Sequence, residues 1–311
     1  GVFVRAAREE HPDLVGARVL AIGGVSIEEA IARVQPLISR DNEMAVRAWA
    51  PLLLTMPEVL RSVGLTMDPT RVGISISTAV GQRNVVLAPA GLFPMLIGET
   101  DLTWKKREGW VDAREGSPSP LWLSDPANTY WFRYLPEART LYCQLNAIQQ
   151  KPDDSLRVFL ARAMNTADSA RAERFVLDLR LNGGGNGYWN KEILRSLIKS
   201  RYDERGSLAV IIGRRTWSAA GMLIAEIEKY TNATFIGEPS SSRGNSFGDS
   251  RRIILPNSHV TVRVSTLWHQ YWDPRDTRQW ITPQMSTPLS FQDYVAGRDP
   301  ALEAAMRLKQ Y

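Results

Sequence analysis

The chain reads LAVIIGRRTWSAAGMLIAEI from Leu208 to Ile227, and the order of residue types in this stretch decides the fold. Its first five residues are apolar and rich in β-branched side chains, which predicts a parallel strand covered on both faces. The apolar residues from Met222 onward recur with helical spacing. Ser218 therefore lies where a helix begins, beside free N–H groups that favour stabilisation of an oxyanion. Serine is also a common N-cap, so a purely structural role is the alternative.

The alternation of strand and helix extends on both sides of this stretch. Strands are predicted at Leu141–Leu145, Phe175–Leu179, Leu208–Ile212 and Thr234–Ile236, with helices at about Asp154–Asn165, Lys191–Ile198 and Ala219–Tyr230. This order is typical of βαβ units and predicts a parallel sheet with right-handed crossovers. An antiparallel pair, Arg252–Leu255 and Val260–Ser265, and a short helix near Pro300–Lys309 are predicted to follow.

The first 92 residues predict a small mixed domain. Strands are expected near Val2–Val4 and Leu14–Val25, a helix from the capping box of Ser26 and Glu29 to about Ile38, a helical stretch from Asn42 to Gly64 interrupted by two prolines, and a hairpin of Val72–Ser77 with Asn84–Leu87. Residues 93–139 are rich in proline and tryptophan and are interpreted as a connecting region.

Composition excludes several classes of function. The 311 residues are 44% hydrophobic and 23% charged, which allows a large core and predicts a soluble protein. The net charge is +5, but the densest basic run, Lys105-Lys106-Arg107, is too short to indicate nucleic-acid binding. No apolar run reaches membrane-spanning length and no signal peptide is visible. Because the sequence starts at Gly1 without a methionine, we expect a processed or partly represented polypeptide.

Cysteine and histidine usage gives no sign of a metal centre. The single cysteine, Cys143, excludes an intramolecular disulfide and a cysteine zinc site, and its apolar surroundings predict core packing. The three histidines, His11, His259 and His269, are too dispersed for a local metal signature.

A second turn of interest runs from Asp178 to Gly187 and reads DLRLNGGGNG. It follows a predicted strand, so it should lie beside the Ser218 turn at the carboxyl edge of the sheet. Consecutive glycines allow a backbone to approach a substrate closely. The turn is not a dinucleotide fingerprint, because Asn190 stands where a glycine is needed, and it lacks the Gly-Lys-Ser/Thr of a phosphate loop.

Three ordered motifs together resemble a known family, the S41 peptidases, which include the C-terminal processing (tail-specific) proteases and their tricorn-like relatives. The motifs are D-x-R-x-N-x-G-G from Asp178, T-W-S-A-A from Thr216, and I-G-E-P from Ile236 with Arg243. GARVLAIGG from Gly16 is similar, more weakly, to the strand of their PDZ-like domain. The resemblance implies an α/β fold with a parallel-sheet, ClpP/crotonase-like core in 140–311 and an N-terminal PDZ-like domain with a helical insertion in 1–92.

The resemblance also implies site residues and an activity. Ser218 would be the nucleophile, and the N–H groups of Ala219 and Gly184, or its neighbour Gly183, would bind the oxyanion. The implied activity is that of a serine endopeptidase, which acts on protein or peptide substrates through an acyl-enzyme without metal or organic cofactor. A periplasmic or secreted location is expected from the resemblance alone, and a homo-oligomer remains open.

The chain departs from the family at the general base. Arg243 stands where the processing proteases have lysine, and arginine stays protonated, so it cannot accept the serine proton. Other branches use a histidine upstream of the PDZ-like segment and a downstream acid. Asp276 lies at the corresponding distance after Ser218, although an Asp beside proline is equally a turn former. His269 is the best internal alternative base, with aromatic packing as its other interpretation, and His11 is expected in a surface loop.

Two other functions remain open from the sequence. A catalytically impaired relative would bind a peptide or hydrophobic ligand with the same scaffold, an interpretation that Arg243 favours. A crotonase-like acyl-CoA enzyme would share the oxyanion site of glycine-loop amides, bind CoA, and give Ser218 no special role.

Overall fold

The structure, a computed structural model, describes residues 1–89 and 108–309. The chain divides into two compact units, of which the first comprises Gly1–Ala127 and Leu289–Pro300 and the second comprises Asn128–Pro288 and Ala301–Tyr311. The boundary that the sequence predicts near residue 92 lies outside the described residues.

Many of the elements lie where the sequence predicts them and in the expected order. Up to residue 127 they are β1 (Val2–Phe3), β2 (Ala6–Arg8), β3 (Arg18–Ile22), β4 (Val25–Ser26), α1 (Ile27–Val34), α2 (Glu43–Leu53), α3 (Pro57–Ser62), β5 (Val72–Thr78), β6 (Gly81–Leu87) and β7 (Trp110–Asp112). From residue 128 they are β8 (Tyr130–Leu135), β9 (Thr140–Leu145), α4 (Leu156–Ser169), β10 (Arg174–Asp178), α5 (Asn190–Ile198), β11 (Leu208–Ile212), α6 (Ala219–Tyr230), β12 (Thr234–Gly237), β13 (Asn245–Ile254), β14 (Thr261–Gln270), β15 (Met285–Ser286), α7 (Phe291–Val295) and α8 (Pro300–Met306). Short 3-10 turns lie at Pro12–Leu14, Gln35–Leu37, Leu121–Leu123 and Gly187–Trp189.

The first unit is built on an antiparallel sheet in the order β1-β3-β5-β6, to which β4 adds by pairing with β3. Helix α1 begins where the capping pattern predicts, since the Ser26 hydroxyl accepts the Glu29 N–H at 3.2 Å. Apolar residues of α1 and α2 pack with those of β3 and β5 in one core. Helix α7 belongs to this unit, and its Phe291 ring stacks on Phe3 with 4.4 Å between centroids.

The second unit carries the predicted parallel sheet. Its strand order is β15-β12-β11-β10-β9-β8, with every neighbouring pair parallel except β8 and β9. The strands β9 to β12 follow one another across the sheet. Crossovers of one hand, right-handed by the general rule, therefore place α4, α5 and α6 on the same face. Packing agrees, because α5 contacts both α4 and α6. The carboxyl ends of β10 and β11 are therefore neighbours at one edge.

The core of this sheet is buried on both faces, as its continuous apolar strands predict. Alternate residues such as Cys143, Leu177 and Val210 join the cluster that includes the helices, and all three are fully buried. Burial raises the pKa of the Cys143 thiol far above its usual range, and the nearby Asp178 charge adds to the effect. The expected packing role of this cysteine is confirmed.

The structure differs from the sequence-based expectations in three places. Residues 130–135, interpreted as part of a connecting region in 93–139, form β8 at the edge of the parallel sheet, and the proline-rich flanks conceal this aromatic strand. The antiparallel pair near residue 256 is much longer than predicted, because its polar residues also join the ladder. Residues 289–300 join the first unit, away from the core region 140–311.

Within residues 1–89 and 108–309, no helix combines the length and apolarity that a bilayer crossing requires.

Candidate active site

A buried ion pair fixes the start of the glycine-rich turn. Asp178, at the end of β10, is fully buried, and its Oδ2 accepts a hydrogen bond from the Tyr142 hydroxyl at 2.6 Å. Its Oδ1 accepts the Arg180 backbone N–H at 3.0 Å, and the Arg180 guanidinium lies 2.8 Å from Oδ2. A buried carboxylate is tolerated when it is paired and hydrogen-bonded in this way. The pair therefore sets the direction in which the turn leaves the sheet.

Asn182 links this turn to the segment that carries Ser218. Its side-chain amide donates to the Leu145 carbonyl at 3.0 Å, and its Oδ1 accepts the Gly184 N–H at 2.9 Å. Its own carbonyl accepts the N–H of Trp217 at 3.1 Å. One buried residue thus joins strand β9, the glycine turn and the residue before Ser218.

Gly184 makes direct contact with the Ser218 turn. It has φ +107°, and a Cβ built on it would lie 2.6 Å from Ser218 Cβ and 3.0 Å from the Ala219 nitrogen. Such a distance is far inside van der Waals contact, so only glycine fits. The two turns therefore lie side by side, as the sheet topology predicts.

Thr216 ties three loops together. Its hydroxyl donates to the Leu179 carbonyl at 2.9 Å and accepts the Gly213 N–H at 3.0 Å. Its carbonyl accepts the N–H of Ser241 at 3.2 Å. The loops that follow β10, β11 and β12 therefore meet at one fully buried threonine.

The backbone of Ser218 is held in a strained conformation. Its φ of 56° and ψ of −126° fall in a region that non-glycine residues rarely occupy. The Ser218 N–H donates to the Ser242 hydroxyl at 2.9 Å. A Cβ on Gly221 would lie 2.3 Å from Ser242 Cβ, so the missing side chain of Gly221 makes room for Ser242. A strained turn between strand and helix that presents a serine is the geometry of a nucleophile elbow.

The Ser218 side chain does not cap helix α6. It makes no capping hydrogen bond, whereas Ser26, Ser155 and Ser290 each accept a backbone N–H at the start of their helices. Ser218 is half-buried, so solvent and ligands can reach it. The structural N-cap alternative therefore does not account for this serine.

Several backbone donors beside Ser218 have no acceptor in the part of the chain that the structure describes. Within the described residues, the N–H of Ala219, the first residue of α6, makes no hydrogen bond, and neither do those of Gly183 and Gly185. The Gly184 N–H is already engaged by Asn182. The turns can therefore supply donors to an oxygen next to Ser218, with the glycine contribution coming from a neighbour of Gly184.

No described side chain forms a hydrogen bond with the Ser218 hydroxyl. Arg243 donates to the Gln279 side chain at 2.6 Å. His269, on β14, contacts Asp249 with 3.0 Å between Nε2 and Oδ2. The general base is therefore not assigned by the contacts of the described residues.

Asp276 is held by an arginine. Both carboxylate oxygens accept hydrogen bonds from Arg278, whose guanidinium also binds Glu228 at 2.8 and 2.9 Å. Burial alone would raise the pKa of Asp276, but the hydrogen bonds and charge of Arg278 outweigh it and lower the pKa. The predicted role of Asp276 as the acid of a triad stays a prediction, since its described partner is Arg278.

The remaining charged groups near these loops are paired or buried. Arg214 donates to Glu238 at 2.8 Å and so links the loops after β11 and β12. Burial lowers the pKa of Arg215 to about 10, which leaves it protonated at neutral pH. Among residues 1–89 and 108–309 there is no group of three or more His, Cys, Asp or Glu side chains that would hold a metal ion.

Comparison with solved structures identifies the fold. The chain is similar to the structure of a CPAF S499A mutant, with a TM-score of 0.58, 10% identity, and coverage of 94% of this chain and 77% of that one. A structure of mature CPAF complexed with lactacystin gives a TM-score of 0.56 and 11% identity over 94% of this chain and 77% of that one. A chain from Bacteroides fragilis NCTC 9343 described as an S41 protease gives a TM-score of 0.40 and 15% identity over 76% of this chain. The match covers 65% of the length of that protease.

No protein-family model and no curated protein matches the chain. The structural likeness confirms the predicted S41 peptidase fold. At these identities it establishes the fold alone. The PDZ-like character of the N-terminal domain stays a prediction.

Two residues of the site were missed by sequence reasoning. Ser242 and Gly221 are distant in sequence from each other, and their contact arises only when the loop after β12 folds against α6. The one available signal was the run Ser240-Ser241-Ser242, in which three polar residues follow a buried strand.

Proposed function

We propose that the protein is a serine peptidase that hydrolyses peptide bonds of protein substrates through an acyl-enzyme on Ser218. The observation that carries the proposal is the strained, uncapped Ser218 in contact with the glycine turn, beside backbone donors that have no acceptor within the described residues. The shared fold with CPAF supports it.

The geometry suggests how the reaction proceeds. Ser218 Oγ attacks the substrate carbonyl carbon, and the carbonyl π electrons move to its oxygen. That oxyanion accepts hydrogen bonds from the N–H of Ala219 and of Gly183 or Gly185, whose fixed orientation stabilises developing charge. Collapse of the intermediate expels the amine, which takes the proton lost by Ser218, and water then hydrolyses the ester and restores the serine.

The proposal does not assign the general base that takes the proton from the Ser218 hydroxyl and passes it to the leaving amine. Catalytic hydrogen bonds often form only when substrate is bound, so a base need not contact Ser218 in the free protein. Asp276 is retained as the proposed acid of a triad. Arg243 is excluded as a base, because its guanidinium stays protonated.

Covalent labelling tests the proposal. A fluorophosphonate probe should modify Ser218, as located by mass spectrometry of the full chain, and Ser218→Ala should abolish both labelling and cleavage of an unfolded protein. Ser155→Ala is the matched control, because Ser155 is an ordinary N-cap and its loss should leave labelling intact. Absence of labelling in the folded wild type, or unchanged cleavage by Ser218→Ala, would overturn the proposal. Lactacystin, which CPAF binds, offers a second probe of the same residue.

A second candidate function is a peptide- or ligand-binding protein with an impaired site. The observation in its favour is Arg243, a permanently charged residue at the position of the lysine base. This function predicts binding of an unfolded polypeptide by a protein in which Ser218 resists labelling.

A further inference from the structure

Strands β13 and β14 form a long hairpin that belongs to no larger sheet among the described residues. In the described part of the chain they pair only with each other, from Asn245 opposite Gln270 to Ile254 opposite Thr261, with the ladder interrupted at Asp249, whose φ is 45°. An isolated two-stranded hairpin is marginally stable at best in water. Each outer edge also presents backbone N–H and C=O groups that pair with none of the described strands.

One face of the hairpin is apolar and exposed to solvent. Residues opposite each other in an antiparallel pair share a face, and the register places five large side chains together. This apolar face comprises Phe247, Ile253, Val262, Val264 and Trp268, and Arg251 lies among them, directly opposite Val264. Their exposed fractions range from 37% for Val262 to 61% for Phe247. Contiguous exposed apolar surface of this kind is typical of an interaction site.

The other face places two like charges together. Arg252 lies directly opposite Arg263 in the ladder, an arrangement that is destabilising by itself. Neither arginine takes part in an ion pair with any described residue. A carboxylate supplied from outside the hairpin would relieve this repulsion.

The root of the hairpin adjoins the Ser218 site. Met222 lies one helical turn after Ser218, since its N–H donates to the Ser218 carbonyl at 3.0 Å. A Cβ on Gly187, in the glycine-rich turn, would lie 3.3 Å from Met222 Sδ, and one on Gly248, in β13, would lie 3.8 Å from Met222 Cε. A chain bound along the hairpin would therefore end next to the proposed nucleophile.

We propose that the β13–β14 hairpin captures an extended polypeptide in which apolar and acidic residues alternate, and that this strand adds to a free edge of the hairpin. Its apolar residues extend the apolar face, and its carboxylates lie beside Arg252 and Arg263 on the other face. The proposal rests on the proposed peptidase function in describing the captured chain as the substrate delivered to Ser218.

The same observations disfavour two other occupants. A second copy of the hairpin would bring further arginines to the same face, and the one acidic residue of its strands, Asp249, already contacts His269. A lipid surface would leave the backbone groups of both edges without partners, which is costly in hydrocarbon. A polypeptide strand satisfies the edge, the apolar face and the arginines together.

Binding is tested on the full chain carrying Ser218→Ala, so that no cleavage occurs. The probe is fluorescein-labelled, reduced and carboxymethylated α-lactalbumin, an unfolded acidic protein, followed by fluorescence anisotropy. Ile253→Thr with Val262→Thr changes an opposed pair on the apolar face and should weaken binding by about tenfold or more. Arg252→Gln with Arg263→Gln should weaken binding and reduce its dependence on salt. The matched control is Ser250→Thr with Ser265→Thr, an opposed pair on the other face, which should bind within about twofold of the parent.

Each contrary outcome overturns the proposal. The first is unchanged polypeptide binding by both double variants. The second is a dimer in sedimentation that the Ile253/Val262 variant converts to a monomer. The third is binding to phosphatidylglycerol vesicles that the Ile253/Val262 variant loses although it still binds the polypeptide. Fluorophosphonate labelling of Ser218 in the wild-type background separates the two proposals. Failed labelling with intact hairpin-dependent binding rejects the peptidase only, and labelling with hairpin-independent binding rejects only the capture proposal.

Discussion

The Ser218 site and the β13–β14 hairpin belong to the same unit and use their polar and apolar groups in opposite ways. Around Ser218, buried residues such as Asp178, Asn182 and Thr216 bind one another's backbones and fix three loops. Along the hairpin, large apolar side chains and two arginines face solvent. Buried side chains that hydrogen-bond within the protein hold the Ser218 loops in place, whereas exposed apolar and arginine side chains on the hairpin are suited to binding another molecule. Four variants, the last of them a double substitution, test this difference.

The largest effect is expected at Gly184. Gly184→Ala would place a Cβ 2.6 Å from Ser218 Cβ at a φ of +107°, so the Ser218 turn must shift. A displacement of about 1 Å at a catalytic group can cost roughly a hundredfold in rate, and fluorophosphonate labelling should fall by at least that factor. Gly73→Ala is the control, because Gly73 lies outside the site and nothing lies within 4 Å of a Cβ built there. Equal labelling of the two variants would show that contact between the turns is unimportant.

A smaller loss is expected at Ser242. Ser242→Ala removes the acceptor of the Ser218 N–H, and a buried donor left unpaired costs about 1–3 kcal/mol. The strained turn should relax, so the labelling rate should fall by about tenfold while the KM for a peptide changes little. Ser242→Thr, which keeps the hydroxyl, should restore part of the rate. A variant labelled as fast as the wild type would assign Ser242 no part in holding the turn.

A modest, pH-dependent effect is expected at Asp276. Its pKa is lowered in the folded protein, so it contributes stability above its ordinary value of 3.8 that is lost as the pH falls through the lowered pKa. Asp276→Asn should lower the Tm by a few degrees at pH 7, and its difference from the wild type should close below about pH 4. Asp273→Asn, in the more exposed pair with Arg275, should change the Tm less. Loss of labelling with an unchanged Tm would instead place Asp276 in the catalytic machinery.

No effect on stability is expected from the apolar face of the hairpin. Ile253→Thr with Val262→Thr changes side chains that are already exposed, so the Tm should stay within about 2 °C of the wild type. Val210→Thr, which puts a hydroxyl into the fully buried core of β11, should lower it strongly. A large fall in the hairpin variant would mean that the apolar face is covered within the protein in solution.

Local sequence patterns predicted the strand and the helix that flank Ser218, because both depend on residues close together in the sequence. The apolar run Leu208–Ile212, the helix from Ala219 and the position of Ser218 between them follow from periodicity and β propensity. The adjacency of the two turns followed from parallel topology.

Features that depend on distant contacts were not predictable in this way. The acceptor of the Ser218 N–H is Ser242, which reaches it only after β12 and its loop have formed. The Gly184 N–H was expected to face the substrate, but Asn182, two residues earlier, competes for it and forms a local turn. The aromatic strand β8 is stabilised by pairing with β9, and its flanking prolines gave the opposite signal.

The buried thiol of Cys143 can report local unfolding of the sheet. Since burial shields the sulfur and keeps it protonated, an alkylating reagent reaches it only when strand β9 parts from its neighbours. The rate of alkylation under native conditions therefore counts these rare openings without any engineered label. For a protein proposed to cut extended chains, the frequency of these openings also measures how often one molecule exposes a segment that another molecule could cleave.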